Sequence, residues 1–173
     1  RYDQTGKGPA NSPTPVTHES LVYSGGGRSG YGALVRLKGS ADGVAAEQVY
    51  YERGLPVSIG GSVLVGDYLY GTNGKALVCV EFATGKIKWE DKTIPSASVC
   101  QADGCIYVFG DNDEVALIQA TADGYHEKGR FKLPDMPKHK RGEVAWAYPV
   151  IANGKLYLRD LGSLWCYDIK GAK

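Results

Sequence analysis

One short pattern occurs four times along the chain, and it constrains the fold more than any other feature of the sequence. In each copy, small and proline-containing residues precede an apolar strand, a turn and a second strand that carries a tyrosine. Copies of one short unit must stack on each other to bury their apolar faces. The four tyrosines occupy the same place in the pattern: Tyr23, Tyr70, Tyr107 and Tyr157.

Each copy predicts a four-stranded antiparallel meander. After the tyrosine come a Gly- or Asp-rich turn, a third apolar strand and, in the first three copies, a fourth strand. The tyrosines recur at intervals of about 37 to 50 residues, close to the roughly 40 to 45 residues of one β-propeller blade. We therefore predict an all-β chain made of four consecutive four-stranded antiparallel propeller blades.

The repeats divide the chain into segments of one partial propeller domain. Residues 1–10 are interpreted as the end of a preceding blade, 11–57, 58–95 and 96–144 as blades, and 145–173 as a last blade that lacks its outer strand. The stretches ADGVAAEQ and PDMPKHKRGE are interpreted as surface insertions.

Three arrangements of the blades follow from this division. In the favoured one the chain is the C-terminal part of a larger ring. In the second, residues 1–3 complete the last blade and close a small four-bladed ring. In the third, a homodimer of half-rings forms a closed assembly.

Composition and charge exclude two classes of partner. The chain has 20 Lys and Arg against 19 Asp and Glu, a formal net charge of +1, so we expect no nucleic-acid partner. No apolar stretch approaches the roughly 20 residues of a membrane helix, so we expect no membrane insertion. The 24 glycines and 12 tyrosines suit short strands joined by tight turns.

The second copy carries the most specific motif. Its residues GDYLYGTNGKALVCVEFATGKIKWE end in Thr84, Gly85 and, four residues later, Trp89. This stretch resembles the repeat of the pyrroloquinoline-quinone-type β-propellers, and the last copy, ANGKLYLRDLGSLWCYDIKG, is similar around Tyr157. The resemblance implies a larger, typically eight-bladed ring, a ligand-binding axial face, and a periplasmic or extracellular location.

In that family the Thr-Gly turn and the Trp form a structural staple between neighbouring blades. The residue types suit this role. Gly85 permits a positive φ in a tight turn, Thr84 can bond to its own backbone, and the Trp89 indole buries a large apolar area with a single N–H to satisfy. We therefore assign these three residues, and the four repeated tyrosines, a structural role.

The resemblance includes both enzymes and scaffolds. The enzymes use a vicinal Cys-Cys disulfide, a catalytic Asp and Ca²⁺ ligands, and this sequence has no Cys-Cys pair. We therefore assign no catalytic residue, metal site or cofactor. The leading hypothesis is a non-enzymatic module of an exported bacterial protein that binds a protein or saccharide. The alternative is part of a pyrroloquinoline-quinone-dependent alcohol or sugar dehydrogenase, with the quinone and calcium as cofactors.

Candidate ligand-binding residues lie where the meander brings loops together. The loop into the first strand and the turn between the second and third strands lie at the same end of an antiparallel blade. Aromatic and charged side chains at that end are suited to binding. The predicted ligand-binding residues are Arg28, Trp146, Tyr148, Arg159 and Asp160.

The four cysteines fall into two pairs. Cys79 and Cys166 occupy the same place in the third strand and are interpreted as small buried apolar residues. Cys100 and Cys105 flank the hairpin turn QADG. A disulfide between these two is one alternative, and two free thiols are the other.

Overall fold

The structure is a computed structural model, and its regular secondary structure is almost entirely β-strand. The predicted all-β class is therefore confirmed. The one helical element in the described part of the chain is a single turn of 3₁₀-helix, Gln4–Gly6. The described residues are 2–6, 11–26, 29–140, 145 and 147–170.

The first two blades are four-stranded antiparallel meanders in which each strand pairs with the next along the chain. The first blade consists of β1 (Val16–His18), β2 (Leu21–Gly25), β3 (Tyr31–Ser40) and β4 (Gly43–Arg53). The second blade consists of β5 (Ser62–Val65), β6 (Tyr68–Thr72), β7 (Leu77–Glu81) and β8 (Ile87–Asp91).

The last two blades continue the same order. The third blade consists of β9 (Ala97–Ala102), β10 (Cys105–Gly110), β11 (Glu114–Gln119) and β12 (Glu127–Lys132). The fourth consists of β13 (Val150–Ala152), β14 (Lys155–Asp160) and β15 (Ser163–Asp168), a sheet of three described strands. The repeated meander predicted from the four tyrosines is thus present in all four copies.

A β-bulge marks one equivalent position in the first three blades. In each of them the pairing of the third and fourth strands shifts by one residue at the middle of the third strand. The fourth-strand residue paired just before the shift is Tyr50, Trp89 or Gly129, in that order. We call this the anchor position, because Tyr50 and Trp89 each donate a side-chain hydrogen bond to the following blade.

Consecutive blades pack face to face, and the two middle blades use both faces because side chains alternate between the two faces of a strand. Three apolar clusters join consecutive blades. The first joins blades one and two through Tyr23, Leu34, Tyr50, Leu69, Val78 and Val80. The second joins blades two and three through Tyr70, Cys79, Val99, Ile106, Val108 and Ile118. The third joins blades three and four through Phe109, Val115, Leu133, Leu156 and Leu158.

The four repeated tyrosines occupy equivalent places but differ in burial. Tyr23 and Tyr70 are each 1% exposed, and the Tyr23 hydroxyl donates a hydrogen bond of 2.7 Å to the carbonyl oxygen of Pro56. Burial raises the pKa of both phenols. Tyr107 and Tyr157 are only half-buried. Burial of this tyrosine thus declines towards the last blade.

The Thr-Gly-x-x-x-Trp segment joins the second and third blades. The indole Nε1 of Trp89 donates a hydrogen bond of 2.8 Å to the carbonyl oxygen of Thr121, in the third blade, and the ring meets the Tyr125 ring edge-on. At the preceding turn Gly85 has a φ of 75° and its N–H donates to the Glu81 carbonyl at 2.9 Å. The Thr84 hydroxyl bonds the Glu81 carboxylate.

The segment ADGVAAEQ, expected to be a surface insertion, is mostly exposed and forms the end of a long β-hairpin. Residues 43–48 belong to β4, which pairs with β3 along its whole length from Tyr31↔Arg53 to Ser40↔Gly43. The segment extends a regular hairpin because a ladder of backbone hydrogen bonds satisfies its N–H and C=O groups without a core beneath it.

The alternative in which residues 1–3 complete the last blade is contradicted by the described part of this segment. The Tyr2 hydroxyl donates to the Gln48 side chain at 2.9 Å, and the Thr5 hydroxyl donates to the Ser24 hydroxyl at 3.4 Å. Residues 2–6 therefore lie on the first blade and do not complete the last one. The four sheets are not closed into a ring, which contradicts the small four-bladed alternative.

The far face of the fourth blade is open to solvent within the described structure. Val150 is 53% and Leu164 is 67% exposed, and the thiol-bearing Cys166 is exposed as well. The equivalent Cys79 is fully buried under the third blade. The expectation that Cys166 is buried is wrong, because no described strand packs on this face.

Candidate functional site

The candidate site lies at one end of the blades, which we call the turn end. It consists of the loops that lead into the first strands of blades two to four and the turns between the second and third strands. In the third blade Ala97 pairs with Gly110, and the Asp111 N–H donates to the Ser96 carbonyl at 3.1 Å. The antiparallel meander thus brings these loops and turns together in each blade, as expected from the sequence.

Two of the predicted ligand-binding residues cannot be placed. Arg28 and Trp146 lie outside the described residues. The other three, Tyr148, Arg159 and Asp160, lie together at the turn end of the fourth blade, where β13 begins and β14 ends.

Tyr148 is held in place while part of its ring stays accessible. Its hydroxyl donates a hydrogen bond of 2.8 Å to the carbonyl oxygen of Ile59, in the loop that leads into the second blade. The ring also lies against Gly61, where an added Cβ would come within 2.7 Å of it. Tyr148 is nevertheless 39% exposed. It therefore presents a fixed aromatic surface at a point where loops of two non-adjacent blades meet.

Arg159 and Asp160 differ sharply in exposure, although they are neighbours in sequence. Arg159 is exposed, whereas Asp160 is only 3% exposed. The Asp160 carboxylate lies 2.5 Å from Nε2 of His139. Arg159 is therefore available to a ligand, and Asp160 instead holds the loop that carries His139.

His139 is the residue that sequence reasoning missed. It lies in the stretch PDMPKHKRGE, which the sequence predicts to be a surface insertion. The His139 side chain is nevertheless only 18% exposed, and its Nδ1 is buried without a hydrogen-bond partner among the described residues. The contact with Asp160 links positions 21 residues apart. No periodicity or spacing in the sequence indicates such a contact, because it depends on how the long loop folds back.

The turn ends of the second and third blades are built mainly from structural hydrogen bonds. The buried Thr72 hydroxyl bonds both the N–H and the carbonyl of Ala97, each at 3.4 Å. The Asn73 side chain accepts hydrogen bonds of 2.9 Å from the N–H groups of Lys75 and Ala76 and donates to the Gly54 carbonyl. These side chains fix the turns.

A shallow recess lies at the turn end of the third blade. It has a volume of about 170 Å³ and is lined by Pro95, Ser96, Asp111 and Asn112. Although Asp111 is exposed as a residue, desolvation of its carboxyl raises the pKa, and a hydrogen bond from Ser96 partly offsets that effect. The polar side chains of Ser96, Asp111 and Asn112 give the recess groups that can form hydrogen bonds with a ligand.

The two cysteines of the third blade are not joined. Cys100 on β9 pairs with Tyr107, and Cys105 on β10 pairs with Ala102, so the two residues are diagonal neighbours. A disulfide requires Cβ atoms about 3.5–4.5 Å apart, closer than a diagonal pair provides. The structure has both thiols free, and this corrects the disulfide alternative.

The described residues of the turn end do not form a cluster of calcium ligands. Calcium needs six to eight oxygen ligands, usually with several carboxylates. Asp160 is bonded to His139, Asp111 is bonded to Ser96, and no group of three or more His, Cys, Asp or Glu in the described ranges could hold a metal ion.

In the same ranges, no helix is long and apolar enough to cross a membrane.

These blades define the class of the protein: the chain is a β-propeller fragment with four consecutive blades in an open arrangement. Comparison with solved structures agrees. The chain is similar to BamB from Moraxella catarrhalis with a TM-score of 0.65 and 13% identity, over 87% of this chain and 43% of that one.

Two further structures share the fold. The quinohemoprotein alcohol dehydrogenase ADHIIG from Pseudomonas putida HK5 has a TM-score of 0.57 and 14% identity, over 85% of this chain and 28% of that one. The glutaminyl cyclase of Myxococcus xanthus has a TM-score of 0.52 and 18% identity, over 92% of this chain and 66% of that one.

These likenesses confirm the expected β-propeller fold. The chain spans less than half the length of BamB and of the dehydrogenase. No family model and no curated protein sequence matches the chain.

Proposed function

We propose that the chain is a non-enzymatic binding module that recognises a protein partner through the turn end of its blades. The observation that carries this proposal is Tyr148, an aromatic ring fixed by its hydrogen bond to Ile59 and still 39% exposed. Tyrosine and arginine are enriched among the residues that dominate binding energy at protein interfaces. The exposed Arg159 lies at the same end of the same blade.

The fixed geometry favours binding for an entropic reason. Ordering a free aromatic side chain at an interface costs part of the binding free energy, and a ring already held by its own protein avoids that cost. Leu161, which is 53% exposed and has a φ of 47°, extends the apolar part of the surface in the turn after β14. The recess at Ser96, Asp111 and Asn112 supplies polar groups nearby.

The fold likeness to BamB and to a quinohemoprotein dehydrogenase supports two further parts of the proposal. One is a location outside the cytoplasm, periplasmic or extracellular, in an exported bacterial protein. The other is the alternative activity, in which the chain forms part of a quinone-dependent dehydrogenase. The carboxylates of Asp160 and Asp111 are each bonded to another residue of the chain, to His139 and Ser96 respectively. This favours the binding module over the enzyme.

The test compares the chain with a variant that removes the exposed groups. Tyr148→Ala with Arg159→Ala is expected to lose at least about tenfold in affinity for partners recovered from a periplasmic extract, as expected for removal of two interface anchors. The control is Arg36→Ala with Leu37→Ala, two exposed residues on the long β3–β4 hairpin. Equal loss in both double variants would contradict the proposal.

A second arm tests the enzyme alternative directly. The chain is mixed with pyrroloquinoline quinone and Ca²⁺, and dye reduction is followed with alcohols and sugars as substrates. If the chain is a non-enzymatic binding module, we expect no dye reduction above that of the free quinone. Substrate-dependent turnover that requires the protein would overturn the non-enzymatic assignment. Binding of oligosaccharides lost in the Tyr148 and Arg159 variant would replace the protein partner with a saccharide.

A further inference from the structure

The third interface between blades contains a cleft beside the anchor position of the third blade, Gly129. It has a volume of about 380 Å³ and lies between the face of the third blade and the β15 side of the fourth. Ligand pockets in proteins typically have volumes of about 300–1,000 Å³, and an apolar cavity of about 150 Å³ is large enough to bind benzene. Its walls include Tyr107, Leu117, Gly129, Phe131, Tyr167 and Ile169.

The cleft exists because the anchor position is empty there. In the first interface that position carries Tyr50, which is 7% exposed and donates a hydrogen bond of 3.0 Å to the Phe82 carbonyl of the next blade. In the second it carries Trp89, which donates to the Thr121 carbonyl. In the third it carries Gly129, and a Cβ added at Gly129 would meet nothing within 4 Å.

The backbone that receives Tyr50 in the second blade is repeated in the fourth, whereas Trp89 bonds one residue further along the third blade, at Thr121 rather than at Ala120. Phe82 follows β7, and its N–H donates to the Asp67 carbonyl at 2.8 Å. Ile169 follows β15, and its N–H donates to the Gly154 carbonyl at 3.0 Å. Ile169 thus corresponds to Phe82, and it lines the cleft. The acceptor side of the anchor contact is therefore present, whereas the aromatic donor is missing.

The charged groups around the cleft are already paired. Arg130 lies 2.7 Å from the carboxylates of both Glu114 and Glu127, and Asp168 lies 3.5 Å from Lys155. The Phe131 and Tyr167 rings meet at 4.9 Å between centroids in an edge-on arrangement, one on each side of the cleft. An uncharged aromatic group is the occupant that these walls suit, because they supply ring faces and edges without a free charge.

From these observations we propose that the cleft at Gly129 is a binding site for a small aromatic molecule that carries one hydrogen-bond donor, of the indole or phenol class. The ligand supplies the ring that Tyr50 and Trp89 supply in the other two interfaces, and it joins the third and fourth blades. This site is on the side of the blades away from Tyr148 and does not depend on the proposed function.

The test uses indole as the probe and the 173-residue chain as the protein. Ligand-observed NMR and calorimetry are expected to show one site with an affinity in the high micromolar to millimolar range. Gly129→Trp, which fills the cleft covalently, is expected to weaken indole binding at least about tenfold. The matched control is Gly39→Trp, on the exposed β3–β4 hairpin where an added Cβ also meets nothing, and it is expected to bind indole like the parent.

Two additional measurements make the result decisive. The analogue 1-methylindole cannot donate, so it is expected to bind several-fold more weakly than indole if the Ile169 carbonyl accepts the hydrogen bond. Gly129→Val partly fills the cleft and serves if Gly129→Trp fails to fold. The proposal is overturned if indole does not bind the parent chain, or if it binds a folded Gly129→Trp or Gly129→Val variant as tightly as the parent.

Discussion

The second and third interfaces between blades share the same strand pairing and bulge, and they differ at the anchor position. Trp89 joins the second blade to the third through its ring and its bond to Thr121, whereas Gly129 leaves a cleft at the equivalent position. The bulge beside both residues is retained. The difference shows that strand pairing builds each blade without the anchor, and that the anchor serves the contact between blades.

The largest expected effect comes from removal of the anchor that is present. Trp89→Ala is expected to lower the free energy of unfolding by about 3 kcal/mol, because it removes half-buried aromatic contacts with Tyr70 and Tyr125 and one hydrogen bond. Urea unfolding followed by circular dichroism measures the change.

The control for this variant is Trp165→Ala. Trp165 donates a hydrogen bond of 3.1 Å to the Pro134 carbonyl, a contact that lies at the surface. We expect a loss of about 1 kcal/mol in that variant. Equal losses in the two variants would mean that Trp89 has no special role at its interface.

Loss of one buried hydroxyl at the first interface is expected to have the next largest effect. Tyr23→Phe removes the donor to the buried Pro56 carbonyl and is expected to cost about 1–3 kcal/mol of unfolding free energy at neutral pH. Tyr157→Phe, at the equivalent half-buried position of the last blade, is the matched control and is expected to change stability little.

The same tyrosine predicts a dependence on alkaline pH. Burial raises the pKa of Tyr23 and of Tyr50 in the folded state above the ordinary value of about 10. The contribution of these two phenols to the free energy of unfolding is complete below about pH 9. It is lost as the pH rises above about 10, because the unfolded state then releases protons that the folded state retains. Unfolding in urea at a series of pH values should show this fall, and Tyr23→Phe should make it shallower. A free energy of unfolding that stays constant up to pH 11 would contradict the burial of these phenols.

A smaller effect is expected at the turn that precedes Trp89. Gly85 has a φ of 75°, and an added Cβ would lie 3.2 Å from the Tyr50 ring of the first blade. Gly85→Ala is therefore expected to cost about 1–2 kcal/mol. Gly162→Ala is the control, since its Cβ would meet nothing and its φ is not in the left-handed region. Similar thermal midpoints for Gly85→Ala and the parent would contradict this role of the turn.

The second and fourth blades can also be compared through their cysteines. Burial raises the pKa of Cys79 to about 11, whereas the equivalent Cys166 is exposed. A thiol reagent at pH 8 is expected to label Cys166 at least about tenfold faster than Cys79, because the thiolate is the reacting form and access is required. Mass spectrometry of partly labelled protein measures both rates. Comparable rates would mean that the far face of the fourth blade is covered in solution.

Most of the fold could be predicted from the sequence, because strand alternation and turn residues are local signals. The tyrosine pattern located every blade. The full length of the β3–β4 hairpin could not be predicted, because residues 43–48 extend a ladder without an apolar pattern to mark it.

The candidate site was less predictable. Tyr148 and Arg159 could be placed at the turn end from the antiparallel order alone. The pairing of Asp160 with His139 and the bond from Tyr148 to Ile59 join residues far apart in sequence, so they depend on loop packing. The cleft at Gly129 was not predicted either, since it depends on the bulge that aligns Gly129 with Trp89.

The most direct test of the account is the free energy of unfolding of Gly129→Trp compared with the parent chain. If Gly129 marks a vacant anchor position, the new indole fills the cleft and stability rises by about 0.5–2 kcal/mol, as for other cavity-filling substitutions. The Gly39→Trp control should show no such gain. A loss of stability in Gly129→Trp, or an equal gain in both variants, would contradict the equivalence of the three interfaces.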